Sequence, residues 1–427
     1  MHNHALRTEL HNEVHTRPRP PVSAPQVISH LSVLHHKRHE RPKPARLIAW
    51  CARHDLNPPE SGQSHFDAQL GTLRIKWERH GEFDDFTVYT KDCDPLQPFS
   101  QSAADQLLAE LIDEEEGEVI AALRIAVLPA GTHGFDLARA EQLLGSQHLV
   151  GAAISDSDAA LYSDFHLDAD GYGRFLLIDR ETNASQMGRA VQRVIEMEVY
   201  RMMAMLAFPE ARDLARQLDR AERDLAGLVA RLDIAPESEE PELLRDLTGL
   251  SATIEQISAY SLFRLSAAHA YRNLVRQRGA DLRQTRLPRL QTITEFLDRR
   301  FEPAMSYCES VGIRLASASE RVARASGLLR TRVEFEREHQ NQAILADMNR
   351  RAAMQLRLQE TVEGLSVAAI SYYATGLVSY VFRGLSEAGL PIDPTLASGI
   401  AVVPIVIGVA LALRAARKRL MRNDKPI

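Results

Sequence analysis

The sequence predicts an α+β N-terminal domain, long coiled-coil-like helices after it, and a C-terminal two-helix transmembrane hairpin. Three observations predict this order. Short segments in which apolar and polar residues alternate, as in β-strands, occur only in roughly the first 180 residues. From about residue 210, apolar residues recur at alternating spacings of four and three, as in coiled coils. Two uncharged apolar stretches then follow near the C-terminus, at 365–382 and 396–413.

The N-terminal domain is predicted to span residues 1–182. Segments 73–77 and 83–89 are separated by a polar break at His80, which is typical of a β-hairpin. The proline-rich segment 17–25 cannot form a regular helix and should run over the surface as extended chain. The other predicted strands are 119–128, 161–167 and 174–178, and the predicted helices are 45–54 and 102–111.

A helical hairpin is predicted at residues 183–287. Pro209 should be the first residue of a new helix, because proline lacks the N–H that later helical positions need. The acidic segment 233–242 divides two apolar seams, which predicts that two helices pack antiparallel. The first seam comprises Leu214, Leu218, Ala221, Leu225, Leu228 and Leu232, and the second comprises Leu243, Leu247, Leu250, Ile254 and Ile257.

One long stalk helix is predicted at residues 288–364. No proline follows Pro303 before residue 382, so a single helix of about 120 Å can form at 1.5 Å per residue. Gly364, where the first apolar stretch begins, is a predicted hinge because glycine weakens a helix locally. A third seam, which we expect to join subunits, comprises Val311, Leu315, Ala318, Val322, Ala325 and Leu329.

The C-terminal part is predicted as a transmembrane helix at 365–382, a short external loop at 383–395, a second transmembrane helix at 396–413 and a basic cytoplasmic tail at 414–427. Each apolar stretch has about 18 residues, the lower limit for spanning a bilayer. Basic residues flank both outer ends of the hairpin, which predicts that both termini face the cytoplasm. A buried hairpin in a soluble protein is the alternative, since Pro404 interrupts the second stretch.

Composition predicts that most of the chain lies in the cytosol. The 427 residues carry a formal net charge of -6, which gives no sign of nucleic-acid binding. Residues 1–15 lack the apolar core of a signal peptide. The three cysteines have no paired spacing, as expected for reduced thiols. We therefore expect a multi-pass protein of the cell inner membrane, with the lipid bilayer as its partner.

Seven strings of the sequence resemble a known family. Six are LHNEVHTRPRPPVSAPQ from Leu10, LGTLRIKWERHGEF from Leu70, GYGRFLLIDR from Gly171, LQTITEFLDRR from Leu290, RASGLLRTRV from Arg324 and LRLQETVEGLSVAAISYY from Leu356. The seventh is Ser163-Asp164-Phe165. They are spread over nearly the whole chain, and on them the chain resembles an uncharacterised bacterial family, domain of unknown function 3422. That resemblance implies a membrane protein and no assigned activity.

The order of the predicted parts also resembles that of the CorA family of divalent-cation transporters. Members of that family are pentamers in which the first membrane helix lines the pore, so this resemblance implies a homo-oligomer. They carry Gly-Met-Asn at the outer end of that helix. Here the corresponding stretch reads Tyr380-Val381-Phe382-Arg383-Gly384, so the cation selectivity of the family is not carried over.

The first candidate site is a stripe of small side chains in the first apolar stretch. Ala368, Ser371, Thr375 and Ser379 recur at spacings of three and four, which places them on one face of a helix. Hydroxyl groups that line a pore can replace part of the hydration shell of an ion. Small residues also let two helices pack closely, so a packing face is the alternative.

The second candidate site is a set of histidines that could bind a divalent metal ion as a cofactor. The candidates are His11, His15, His35, His36 and His39. His11 and His15 are four residues apart and would share a helix face, but the His-Glu-x-x-His pattern of zinc proteases is absent. Chance enrichment of histidine in a surface loop is the alternative.

Two acidic segments have plain structural interpretations. The segment 166–171 resembles a calcium loop, but Leu177 occupies the position that needs a bidentate glutamate, so a β-turn is predicted. The acidic run 110–118 is expected to be a solvated helix end.

The sequence supports two hypotheses about function and predicts no enzyme. It has no glycine-rich phosphate loop and no evident Ser-His-Asp arrangement. The first hypothesis is a homo-oligomeric inner-membrane protein, a CorA-like ion channel or transporter without the Gly-Met-Asn signature, and a pentamer if the likeness extends that far. The alternative is a membrane-anchored scaffold or sensor with a cytosolic interaction domain and no transport activity.

Overall fold

The computed structural model describes residues 4, 6–7, 11, 19–35, 44–60, 63–91, 93–112, 117–131, 135–388 and 393–423. The chain divides into two compact units, Met1–Ser326 and Gly327–Ile427. The first unit is α+β and the second consists of helix, in agreement with the predicted order of parts.

The first unit is built on a mixed sheet, which has nine strands within the described residues. The spatial order is β2-β3-β4-β1-β5-β8-β7-β6-β9. Neighbouring strands are antiparallel except β5 and β8, which are parallel. The strands are β1 (Gln26–His35), β2 (His65–Leu70), β3 (Leu73–Arg79), β4 (Phe83–Thr90), β5 (Gly117–Pro129), β6 (Val150–Ile154), β7 (Ala159–Leu167), β8 (Gly173–Asp179) and β9 (Thr285–Arg286).

The described residues also form nine α-helices. They are α1 (Ala45–Arg53), α2 (Ala103–Leu111), α3 (Leu137–Leu144), α4 (Ala184–Met205), α5 (Ala207–Ile234), α6 (Glu240–Asp281), α7 (Ile293–Arg300), α8 (Glu302–Glu387) and α9 (Pro394–Asn423). The predicted hairpin of β3 and β4, the strands β5, β7 and β8, and the helices α1 and α2 are confirmed within a few residues.

Helices cover both faces of the sheet. On one face, Trp50 of α1 and Trp77 of β3 belong to one apolar core, and Leu144 of α3 belongs to a second core over β7 and β8. The side chain of Lys76 points away from that of Trp77, because side chains alternate along a strand. Lys76 contacts Gln192 of α4, so α4 lies on the opposite face.

The proline-rich segment is extended but is not confined to the surface. Its described part, residues 19–25, buries Pro20 and Val22. The N–H of Val22 donates to the carbonyl of Ala184 at the start of α4, at 2.9 Å. A Cβ atom at Gly188 would lie 2.2 Å from the carbonyl oxygen of Pro20, so glycine is needed there. The segment therefore packs against α4, which corrects the surface location predicted for it.

The predicted helical hairpin is present as α5 and α6, which pack against each other. The α5 helix begins at Ala207, so Pro209 lies in its first turn and is not its first residue. Proline is tolerated there because the first-turn N–H groups have no intrahelical partner. Leu218 and Leu225 of the first seam and Leu247 of the second are buried, as the four-three spacing predicts.

The third seam is buried within a single chain. From Val311 to Ala325, its members lie on α8 and are nearly inaccessible. On the same helix, Arg314 forms ion pairs of 2.7 and 2.8 Å with Asp219 and Glu222 of α5. This part of α8 therefore packs on the chain's own helices, and the expectation that these residues join subunits is corrected.

The second unit contains the rest of α8 and the whole of α9. The helix α8 continues through Gly364 without interruption. The hinge at Gly364 stays a prediction. Pro404 lies inside α9, and that helix too is continuous on both sides of it.

Candidate functional site

Two described helices are long and apolar enough to cross a membrane. They are the C-terminal part of α8 and residues 394–416 of α9, and hardly any of either apolar stretch is buried. On α8, Tyr372 is 77% exposed, Tyr373 is 73% exposed and Leu377 is 70% exposed. Large contiguous apolar surfaces on a soluble protein normally contact a partner or a membrane.

The predicted stripe lies on the least exposed side of the α8 apolar stretch. Ser371 is only 5% exposed, whereas Thr375 and Ser379 are half-buried and Ala368 is exposed. The hydroxyl of Thr375 donates to the carbonyl oxygen of Ser371 at 2.8 Å. The Oγ atom of Ser371 is buried and has no hydrogen-bond partner among the described residues. The stripe thus contains one polar atom that the single chain leaves unsatisfied.

A cavity of about 440 Å³ lies beside this stripe. Thr375 and Ser379 contribute to its wall, together with Tyr372 and Tyr380. The hydroxyl groups of the stripe and the exposed tyrosines are therefore neighbours on α8. A partner helix or a column of water in this space would contact both kinds of side chain.

The histidines predicted to bind metal are not brought together in the part of the chain that the structure describes. His35 ends β1, is buried, and has its Nε2 atom 3.2 Å from Asp84 Oδ1. His11 is exposed, and His15, His36 and His39 lie outside the described residues. Among the residues searched, no group of three or more His, Cys, Asp or Glu side chains could hold a metal ion. The metal site stays a prediction.

The segment that resembles a calcium loop is a turn between β7 and β8. Both of its carboxylates contact one arginine: Arg124 lies 2.8 Å from Asp168 and 3.0 Å from Asp170, and it is also paired with Asp105 at 3.3 Å. The guanidinium also stacks over the ring of Tyr172 at 4.1 Å. Arg124 therefore supplies positive charge to the carboxylates of this turn.

A buried polar layer, which the sequence analysis missed, lies on the face of the sheet that α4 covers. The registers of β1, β4 and β3 align its six residues in two rows across these adjacent strands. The rows are His30, Thr87 and Lys76, and Ser32, Asp85 and Glu78. All six residues are buried. Because unpaired charge is costly in such a place, each charged group of the layer needs a partner.

Asp85 is held as a carboxylate at the centre of this layer. The hydroxyl of Ser32 donates to its Oδ1 atom at 2.5 Å, and His80 Nε2 lies 3.2 Å from its Oδ2 atom. Burial by itself would raise the pKa of Asp85. The charge and hydrogen bond of His30 and those of His80 outweigh burial and hold this pKa well below its usual range. Asp85 is therefore ionised at neutral pH.

These residues do not form a catalytic triad. Ser32 Oγ and Asp85 Oδ1 both approach the same ring nitrogen of His30, Nε2, at 3.0 and 3.5 Å. The other ring nitrogen, Nδ1, lies 2.8 Å from Thr87 Oγ1. A triad instead places its carboxylate on the nitrogen opposite the serine. The arrangement orders three strands and offers no nucleophile to a substrate.

The layer is connected to the helices above it. Lys76 Nζ lies 2.7 Å from Glu78 Oε2 and 3.4 Å from Gln192 Oε1 on α4. Gln192 donates to Glu196 at 3.0 Å, and Glu196 is paired with Arg278 of α6. A line of polar contacts thus runs from β3 through α4 to α6.

A second group of ion pairs connects α6 to the start of α8. Arg272 lies 2.6 Å from Glu302 and 2.8 Å from Glu309, and Arg276 lies 2.7 Å from Glu302. Burial by itself would raise the pKa of Glu302, but the hydrogen bonds from both arginines lower it below its usual range. Ion pairs therefore hold the first turns of α8 against α6. The α6 helix is in turn paired with α4, which contacts the sheet.

A family-model comparison identifies the chain, whereas no curated protein matches it. The family model matches residues 2–420, which is nearly the whole sequence. This match confirms the first of the two resemblances noted from the sequence. The chain belongs to the family described as Protein of unknown function (DUF3422).

Proposed function

We propose that the protein is a homo-oligomeric inner-membrane protein that conducts ions along the stripe of Ser371, Thr375 and Ser379. In this proposal the end of α8 and the whole of α9 cross the membrane as a hairpin, and the α+β unit lies in the cytosol. The exposure of large apolar side chains on both helices carries the membrane part of the proposal. Lipid tails would cover these side chains, which water would otherwise surround.

The buried hydroxyl of Ser371 supports the ion path. Its Oγ atom has no partner among the described residues, so a ligand outside the single chain would satisfy it. Copies of α8 arranged around an axis would bring several such hydroxyls together, as ion coordination requires. The order of sheet, helical hairpin, long helix and two apolar helices also resembles that of CorA-type transporters. Because Gly-Met-Asn is missing, we propose no specific ion.

A membrane-anchored scaffold is the second candidate function. The hydroxyl of Thr375 is already bonded to its own helix, and small side chains allow close helix packing. In this case Ser371 bonds to a neighbouring helix, the stripe is dry, and the α+β unit acts only as an interaction domain.

We predict that an external thiol reagent will label Ser386→Cys in intact cells. Ser386 lies near the end of α8, on the side that the basic flanks assign to the outside. Ser251→Cys, on an exposed position of α6, should be labelled only after permeabilisation. Both variants are made in a Cys93→Ser background, since Cys51 and Cys308 are buried and should stay silent. Labelling in the opposite sense would overturn the proposed orientation.

We predict that cysteines at Ser371, Thr375 and Ser379 will react with small hydrophilic thiol reagents in the assembled protein. Cysteines at Ile370 and Leu377 should react more slowly, because they face other directions on the same helix. In proteoliposomes, Thr375→Phe should reduce ion flux without changing the mass of the assembly, whereas Leu377→Phe should leave flux unchanged.

Two results would decide between the candidate functions. Flux together with a closed assembly of four or more subunits supports conduction. The scaffold function is supported instead if all three cysteines are unreactive, no flux is measured, and Thr375→Phe destabilises the protein by overpacking.

A further inference from the structure

A groove of about 880 Å³ lies between α5 and α6, in the first unit. Its walls carry four arginines, Arg220, Arg223, Arg231 and Arg245, and two glycines, Gly227 and Gly249. This volume is within the range of small-molecule sites. None of the stripe residues on α8 lines the groove, so this inference does not rest on the proposed ion path.

The two glycines keep the groove wide. Both lie in the interior of a helix, where glycine is less favourable than alanine. A Cβ atom added at either glycine would meet no heavy atom within 4 Å. Packing within the chain therefore does not require glycine at either position. Glycine at two places on one groove instead leaves room for an occupant that lies close to both helix backbones.

The groove carries excess positive charge. Only Asp224 and Asp246 oppose its four arginines. Arg231 is engaged, at 3.7 Å from both Glu239 and Asp246. In the described part of the chain, Arg220, Arg223 and Arg245 have neither an ion pair nor a hydrogen bond from their side chains. Three guanidinium groups thus stand around one groove without a carboxylate partner among the residues that the structure describes.

The chemistry of the groove selects its ligand class. Guanidinium groups bind phosphate oxygens through paired hydrogen bonds, more specifically than lysine does. Leu228, Leu250 and Ile257 provide an apolar part of the wall, against which a flat ring could lie. We propose that the groove between α5 and α6 binds a phosphorylated small molecule of nucleotide size, with its phosphates on the unpaired arginines.

Calorimetric titration of the full chain in detergent with ATP tests this proposal. We expect saturable binding that weakens steeply as salt is raised, competition by inorganic pyrophosphate, and no binding of adenosine. Arg223→Glu combined with Arg245→Glu should weaken ATP binding at least tenfold. Failure to detect any binding of ATP or pyrophosphate at millimolar concentration would overturn the proposal.

Filling the groove provides a second test that does not depend on charge. Gly227→Leu and Gly249→Leu should favour helix and therefore fold, yet each should weaken ATP binding at least tenfold. Gly327→Leu is the matched control, since a Cβ atom there also meets no neighbour within 4 Å and the residue lies outside the groove.

Two outcomes would contradict the proposal. Unchanged ATP binding in both groove variants would place the site elsewhere. Binding of a hexaglutamate peptide but not of ATP, lost in the groove variants, would mean that the groove accepts an acidic segment of a protein.

Discussion

Glu78→Gln should destabilise the first unit by about 3–5 kcal/mol, because it leaves the ammonium group of Lys76 buried without a carboxylate. The side chains of Lys76 and Glu78 are 2% and 7% exposed, and their charged atoms are 2.7 Å apart. In the variant, the remaining partner of Lys76 among the described residues is Gln192, at 3.4 Å. A neutral amide oxygen does not replace a carboxylate at this depth.

Tryptophan fluorescence during heating measures this effect directly. The chain has two tryptophans, and both Trp50 and Trp77 are buried in the same apolar core of the first unit. A loss of this size should lower the thermal midpoint by on the order of 10 °C.

A matched double variant separates lost charge pairing from lost packing. Lys76→Met combined with Glu78→Met removes both charges and keeps apolar bulk, so its midpoint should lie close to that of the natural protein or above it. An equally large loss in Glu78→Gln and in the double variant would show that packing, and not the unpaired charge, is responsible.

The strands around the polar layer show what a periodic pattern can and cannot predict. Alternation in 73–77 and 83–89 correctly predicts the β3–β4 hairpin. The same alternation is expected when one face of a sheet meets water, so it does not predict that α4 covers Lys76 and Glu78. The sequence does show that polar residues are frequent on β1 and β4. That these residues face each other in one layer follows only from the order of the strands in the sheet.

The strand β1 (Gln26–His35) escaped prediction for a related reason. Of its two histidines, His35 is a predicted metal ligand and lies 3.2 Å from Asp84, whereas His30 lies in the polar layer. Sheet order depends on pairings between distant segments, such as β1 with β5 and β5 with β8. Local periodicity carries no information about such pairings.

The helical part was more predictable because its signal is local. Four-three spacing identified most of the buried seam residues of α5, α6 and α8, although Leu228, Leu232, Leu250 and Ile257 are only half-buried. It did not identify the partner, since a seam looks the same whether it faces a helix of its own chain or of another subunit. The spacing of the stripe likewise located Ser371, Thr375 and Ser379 on one face, but only the structure distinguishes the unsatisfied hydroxyl of Ser371 from that of Thr375.

Leu315→Asp should destabilise the helical part of the first unit by about 3–5 kcal/mol, because it places an unpaired charge in a buried seam. Leu315 is buried on α8, and the neighbouring Arg314 is already paired with Asp219 and Glu222. Ser317→Asp, two residues further and exposed, is the control and should change stability by less than about 0.5 kcal/mol.

Helical circular dichroism on heating and the mass of the assembly in detergent must be measured on the same samples. If the seam packs α8 on its own chain, Leu315→Asp lowers the thermal midpoint while Ser317→Asp does not. A subunit interface at the seam predicts a different result, in which Leu315→Asp yields folded, dissociated subunits with an unchanged midpoint. That second result would contradict the intrachain packing and indicate that the seam joins subunits. Loss of a contact within one chain lowers the stability of the fold, whereas loss of a contact between chains dissociates subunits that stay folded.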